Sequence, residues 1–259
     1  MPAANAEQEQ QQQQPPQRGT EALLAHVNQH KIDVALWATR VLTIVFAFCY
    51  LLPIFGNAQS AYYKVLMANA ATSALRLHQR LPRVSFTREF VSLLLMEDSC
   101  HYLFYSLIFL YVSPVLIILL PVVLFAVLHS ASYSLTLLDT LGQNSWWGAR
   151  LLISIVEFQT RNILRLAAFT EVFLMPFTIV LILLGKGGLM TPLIYYQFLT
   201  LRYSSRRNPY TRNIFYECRL AAEMVANNPS VPAFISKILR AGISFVSRLA
   251  PPLPQAQQQ

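Results

Sequence analysis

The chain has 259 residues, of which 54% are hydrophobic and only 12% charged. Soluble domains carry about a quarter charged residues, so the composition excludes an ordinary soluble domain and describes a membrane protein. The net charge of +8 is uneven, because residues 201–259 hold eight of the 20 basic groups and two of the 12 acidic ones. A basic segment attached to membrane helices favours the cytoplasmic side and an anionic lipid surface; nucleic acid is the weaker reading, since no stacking motif accompanies the arginines.

Residues 1–30 are Gln-rich and Pro-interrupted, and they lack the apolar surface that would offset ordering entropy, so a disordered tail is expected. His26 and His30 stand i, i+4 and read as a solvated pair rather than a metal site. No cleaved signal peptide is expected, and Asp33 to Phe55, apolar except for a snorkelling Arg40, reads as a first span and retained anchor. Trp37 belongs to its aromatic belt, and Pro53 with Gly56 ends it. Residues 60–80 read as a half-polar helix. Lys64, Arg76, Arg80, Arg83 and Arg88 oppose only Glu89 there, which makes this connection cytoplasmic and places the amino terminus in the lumen.

Ser99 to Leu138 contains no Asp, Glu, Lys or Arg over forty residues. As one helix it would be roughly 60 Å long against a hydrocarbon core of roughly 30 Å. Pro114 and Pro121 predict a bend between Tyr111 and Pro121, leaving two arms, each short for a full crossing. Just before the run lie Glu97 and Asp98, with His101 one turn on. Acids cost about 2.5 to 3.5 kcal/mol at mid-membrane, so this trio belongs at a polar interface. It is either a helix start capped by mutual hydrogen bonds or the mouth of a cavity in a channel or channel regulator. Asp139 to Thr170 reads as a second polar connection, helical from Ala149. Val172–Gly185 and a segment ending at Leu201 then form two apolar arms about a glycine hinge. Three full spans, or one span plus two hairpins, both lead to a cytoplasmic carboxyl terminus.

Arg202 and Arg206 are spaced i, i+4, with Arg207 and Arg212 just beyond. They read as a juxtamembrane lipid clamp or as a dock for an acidic partner. After Asn228-Pro229-Ser230, a 100° period gathers Phe234, Ile235, Ile238, Leu239, Gly242, Phe245, Val246 and Leu249 on one side of a helix, and Lys237, Arg240, Ser244 and Arg248 on the other. That pattern describes an interfacial amphipathic helix, the alternative being packing on the protein's own helices; a basic face without any acid favours anionic lipid. The expected fold class is therefore all-α: a polytopic membrane protein of roughly 3 to 5 membrane-embedded helices or hairpins in residues 31–201. A basic region, 202–250, carries the C-terminal amphipathic interfacial helix, and 251–259 form a disordered tail. No nucleophile elbow, HExxH or phosphate loop occurs, and Cys49, Cys100 and Cys218 show no paired spacing. No catalytic residue, cofactor, metal or small-molecule substrate is expected.

Three strings, NAATSALRLHQRLP (Asn69–Pro82), MEDSCHYLFYSLIF (Met96–Phe109) and IYYQFLTLRYSSRRNPY (Ile194–Tyr210), resemble signatures of the transmembrane protein 33 family. This family is also called Krüppel homologue 2 and is similar to the yeast pore-membrane protein group. The resemblance covers Lys31 to Pro251. It implies a non-enzymatic, multi-pass protein of the endoplasmic reticulum membrane and nuclear envelope, tied to nuclear pore distribution, the tubular network and stress signalling. It implies reticulon-type or nuclear pore proteins as partners, and a curvature-binding amphipathic helix that falls on Pro232–Ala250.

Overall fold

Three stretches of this chain are long and apolar enough to cross a bilayer, and the central one packs against both of the others. The computed structural model describes residues 18–53, 56–82, 84–85, 87–143, 145–205 and 207–251. Among them are eleven α-helices and one π-helical turn, with no strand, in keeping with the all-α expectation. The expected disorder of residues 1–17 and 252–259 lies outside the described residues, as do Ile54, Phe55, Arg83 and Arg206.

Helix α1 (Thr20–Gln29) corrects the expectation of a disordered tail over its length. It docks on the far end of a later helix, with Gly19 N–H donating to Thr140 O at 3.1 Å and His26 Nε2 3.2 Å from Tyr133 Oη. The rings of His26 and His30 stand 4.6 Å apart on it. Helix α2 (Lys31–Leu51) is 21 residues, about 32 Å, and is the first apolar stretch.

Helix α3 (Ala58–Arg80) starts where the Asn57 side chain accepts from Gln59 N–H at 2.8 Å, an N-cap. Its half-polar character does not mark a surface connection. Thr72 Oγ1 donates to Thr39 Oγ1 at 2.8 Å, and Asn69 Nδ2 donates to Ser106 Oγ at 2.7 Å, so these polar side chains join helix to helix. Gln79 Nε2 donates to Asp33 Oδ1 at 2.9 Å, which sets the start of α2 beside the end of α3. This overturns the expected separation of the amino-terminal side from the basic Arg76–Arg88 connection: both stand at the same end of one hairpin.

The charge-free run breaks where expected, but unequally. Helix α4 (Arg88–Met96), capped by Thr87, precedes α5 (Asp98–Phe109), whose 12 residues span about 18 Å. Residues 110–115, with Pro114, form the link, and α6 (Leu116–Leu141) then runs for 26 residues, about 39 Å. The expectation of two short arms holds for α5 and fails for α6, which accommodates Pro121 inside the helix and ends three residues past Leu138. Gly142 closes α6 at φ 80°, a left-handed conformation that glycine adopts without a Cβ clash.

Helix α7 (Trp147–Ile153) and a π-helical turn (Ser154–Phe158) lead into α8 (Thr160–Leu183), which passes through Pro176. The polar connection expected to reach Thr170 therefore stops a turn before α8, and Glu171 lies mid-helix. Helix α9 (Thr191–Ser204) returns, followed by α10 (Tyr210–Ala226) and α11 (Ala233–Leu249). Ser113 N–H donates to Lys186 O at 3.0 Å, bringing the α5–α6 and α8–α9 links together. At that end Tyr105, Phe109, Tyr195 and Phe198 stack with ring centroids 4.7 to 5.4 Å apart, packed with the buried Tyr62, Leu66 and Ile118.

Three hairpins return the chain to the end from which α2 starts. In a chain whose natural cysteines have been replaced, single cysteines at Thr20, Gly142 and Ser230 should label from one and the same side of sealed microsomes, and those at Ser113 and Gly187 should behave alike. Labelling of Thr20 and Gly142 from opposite sides would refute the arrangement.

Candidate functional site

An acid and a base placed far apart in sequence meet where α8 and α9 pack. Glu171 and Arg202 are each buried, at 0% and 1% exposure. Arg202 Nε donates to Glu171 Oε1 and Oε2 at 3.1 and 3.0 Å. Its Nη1 donates to Asp98 Oδ1 at 3.2 Å, the oxygen that also accepts from Ser205 Oγ at 2.8 Å. Tyr102 Oη donates to Glu171 Oε1, and Thr211 Oγ1 to Oε2 at 3.1 Å. Tyr195 Oη donates to the Glu171 backbone carbonyl at 2.8 Å. The guanidinium lies over the Tyr102 and Phe125 rings, 5.3 and 5.9 Å from their centroids.

Each member arrives on its own element: Asp98 and Tyr102 on α5, Phe125 on α6, Glu171 on α8, Tyr195 and Arg202 on α9, and Thr211 in the first turn of α10. An isolated charge buried among helices costs several kcal/mol, and only a partner with saturated hydrogen bonding offsets it. Here both carboxylate oxygens of Glu171 are engaged. The network joins the second hairpin to the third and docks the cytoplasm-expected tail at one point.

A second cluster lies beside it. Glu97 Oε2 accepts from Arg80 Nη1 at 3.1 Å and from Arg207 Nη1 at 2.7 Å, linking the end of α3, the start of α5 and the segment after α9. Burial pushes the Glu97 carboxyl up, but the hydrogen bonds and charges of Arg207 and Arg80 outweigh it, and the net shift is below the ordinary glutamate value. His101 Nε2 lies 2.7 Å from Leu95 O, so Nε2 carries the proton, and Nδ1 stands 3.7 Å from Asp98 Oδ1.

The Glu97, Asp98 and His101 trio does not cap its helix start by mutual hydrogen bonds; Glu97 at the N-cap position makes no side-chain cap. Its acids turn instead to arginines from other elements. The expected surface cluster also divides. Arg202 is a buried core residue, because Glu171 and Asp98 hold it inside, and it is therefore not free to contact lipid or a partner. Arg207 is 55% exposed on its side chain while holding Glu97, and Arg212 is half-buried. Glu171, Ser205 and Thr211 were absent from the sequence-derived site. The signal for Glu171 was an acid flanked by AAFT and VFLM, a setting that demands a cation elsewhere in the bundle.

On α11, none of the apolar face is covered by the protein to the point of burial. Phe234, Ile238 and Phe245 are 62 to 64% exposed, Val246 and Leu249 are also exposed, and Ile235 and Leu239 are half-buried. Lys237, Arg240 and Arg248 are exposed; Arg240 Nη2 donates to Asn227 Oδ1 at 3.1 Å. The helix is held at its far end by Tyr196 Oη, which donates to Leu249 O at 2.9 Å. Among the described residues no group of three His, Cys, Asp or Glu side chains is placed to hold a metal ion.

The model of the Transmembrane protein 33/Nucleoporin POM33 family matches residues 15–252. The chain belongs to this family. It is 59% identical over 237 residues to Krueppel homolog 2 of Drosophila melanogaster, covering 92% of this chain and 85% of that one. It is 46% identical over 227 residues to Transmembrane protein 33 of Homo sapiens (87% and 92%), and 41% identical over 234 residues to the Transmembrane protein 33 homolog of Caenorhabditis elegans (88% and 85%). No solved structure matches the chain.

Removing one partner of a buried pair strands the other, at a cost of about 3 to 5 kcal/mol. Glu171→Leu should therefore melt well below the natural protein in detergent, and adding Arg202→Met should recover most of the loss; additive losses would show that the two groups are not coupled. For Glu97, an acid lowered in the fold contributes stability above its unfolded value, and that contribution is lost as pH falls through the folded value. The acid limb of the melting profile should consequently flatten in Glu97→Gln, and an unchanged limb would contradict this assignment.

Proposed function

We propose that this protein is a non-enzymatic scaffold of the endoplasmic reticulum membrane and nuclear envelope that organises or shapes membrane. The observation that carries the reading is the apolar face of α11, left exposed beside a basic face. Such a helix settles at the headgroup boundary, with the apolar area supplying most of the binding and each cation adding about 1 kcal/mol near an anionic leaflet. Its carboxyl-terminal end is tied to the membrane-embedded bundle through Tyr196, so apolar insertion occurs next to the hairpins. Added area in one leaflet is what bends a membrane or stabilises a bent one.

The family description, with its nucleoporin member, supports the nuclear pore and envelope part of the reading. Distribution of pores, upkeep of the tubular network through reticulon-type partners and a part in reticulum stress signalling are the roles that fit a membrane scaffold of this kind. The carboxyl-terminal region then faces the cytoplasm, where its cations meet anionic lipid. A channel or channel-regulating role is the competing reading. Glu97 and Asp98, the acids expected at a cavity mouth, are held by Arg80, Arg207 and Arg202, which weighs against their use as free cation ligands.

The test is flotation of a peptide spanning residues 228–251 with small vesicles containing anionic phospholipid. Ile238→Glu or Phe245→Glu should reduce the floated fraction severalfold, and large vesicles should bind less than small ones. Equal flotation of the natural and substituted peptides would refute the reading.

A further inference from the structure

Between them, α2, α3 and α6 leave a cavity of about 170 Å³. One water needs roughly 10 to 15 Å³ on this measure, so the space admits a multi-atom ligand. Arg40 comes from α2, Arg76 from α3, and His129, Ser132 and Tyr133 from α6, with Asp33 also in the lining. The walls are thus mostly donors.

The charge balance of this cavity is unusual for helices of such apolarity. Arg40 stands nine residues into an apolar helix, about 14 Å from its start, and makes no hydrogen bond or ion pair among the described residues. The charges nearest to it are Arg76 and Arg80, both repulsive, and Asp33. Asp33 is already engaged, accepting from Gln79 Nε2 at 2.9 Å and standing 3.7 Å from His30 Nδ1. Arg80 is held by Glu97, whereas Arg76 meets only the neutral Gln79 Oε1, at 3.3 Å. Two guanidinium groups from different helices therefore share a cavity with a single carboxylate, Asp33, which leaves one positive charge over. The fully buried Arg202, by contrast, is matched to Glu171 and Asp98.

The geometry points to a binding site for a phosphate group. Two planar guanidinium forks present paired N–H donors suited to phosphate oxygens, and the Ser132 and Tyr133 hydroxyls and the His129 imidazole supply further polar contacts. A carboxylate ligand would satisfy one fork; a phosphate, with three or four oxygens and up to two charges, satisfies both. The ligand class is a phosphate monoester, carried either by an anionic phospholipid headgroup or by a soluble metabolite. The site is separate from α11, and it stands whether or not the scaffold reading does.

The two sources are distinguished by titrating the detergent-solubilised full-length chain with dioctanoyl phosphatidic acid and, separately, with glycerol 3-phosphate, which shares its headgroup but has no acyl chains. Phe245→Glu is built into every variant so that the tail makes no contribution, and dioctanoyl phosphatidylcholine serves as the comparison lipid. Phosphatidic acid should bind in preference to phosphatidylcholine, and Arg40→Gln and Arg76→Gln should each weaken that binding by about tenfold or more, the loss of a charge-assisted contact. Arg165→Gln, which alters an exposed pair with Glu217, should leave it unchanged. Equal binding of glycerol 3-phosphate, with the same sensitivity to Arg40 and Arg76, would support the site and assign it a soluble ligand. Binding of neither compound, or binding indifferent to both substitutions, overturns the proposal. Should Arg40→Gln fail to fold, Arg76→Gln alone decides, because Arg76 lies half-exposed and its melting temperature reports its fold independently.

Discussion

The buried pairing of Glu171 with Arg202 is the constraint on which the rest of this structure depends. Neither group can stay charged in an apolar bundle alone; Arg202 is the counter-charge of Glu171, and Glu171 with Asp98 that of Arg202. Because Glu171 sits midway along α8 and Arg202 at the end of α9, satisfying them fixes how far α9 slides along α8. Asp98 then fixes α5 against both, and Thr211 fixes where α10 begins. The aromatic stack of Tyr105, Phe109, Tyr195 and Phe198 fills the space beyond this lock, but stacking and dispersion are tolerant of small shifts. The directional ionic contacts supply the register.

From that register follows the placement of the two surfaces of functional interest. The third hairpin delivers α10 alongside α8, where Arg165 and Glu217 meet, and α10 carries α11 back towards Tyr196. The apolar stripe of α11 is thereby presented outward. Between α2, α3 and α6, the packing of α2 on α3 sets Arg40 and Arg76 around one cavity with one acid, Asp33, for the two of them. Arg202 is satisfied internally, whereas this cavity leaves one cation for a ligand.

Much of this was legible in sequence where the signal was local. The apolar length of α2, the chain reversal near Pro114 and the two-sided residue pattern of α11 all follow from neighbouring residues. What could not be read was anything requiring a long-range partner. Residues 60–80 read as a half-polar connection because hydroxyl and amide groups are usually solvated; in the bundle Asn69 and Thr72 serve as interhelical contacts instead. That reading is what set the amino terminus apart from the basic connection, whereas the two share one end of the hairpin. Arg202 looked like one more member of a basic cluster because Glu171 is 31 residues away, at the seam between the polar connection and the next apolar arm. The segment TEALLAHVNQ carries too little apolar surface to announce α1, which is held instead by contacts with Tyr133 and Thr140.

The first Asp, Glu, Lys or Arg met from the shared link end has a similar position on several helices: Glu171 twelve residues from Leu183, Arg202 eleven from Thr191, Asp98 eleven from Phe109 and Arg40 eleven from Leu51. At 1.5 Å per residue these lie at a common height of about 17 Å, little more than half the roughly 30 Å of a hydrocarbon core. Along α8 the same height is where α10 begins to cover the bundle with polar side chains. Lipid on that flank therefore meets an apolar wall shorter than its own two leaflets. The resulting hydrophobic mismatch costs fractions of a kcal/mol per Å, and it is relieved where the bilayer is already thin. On that flank it is apolar height, a quantity distinct from curvature and headgroup charge, that a surrounding bilayer has to match.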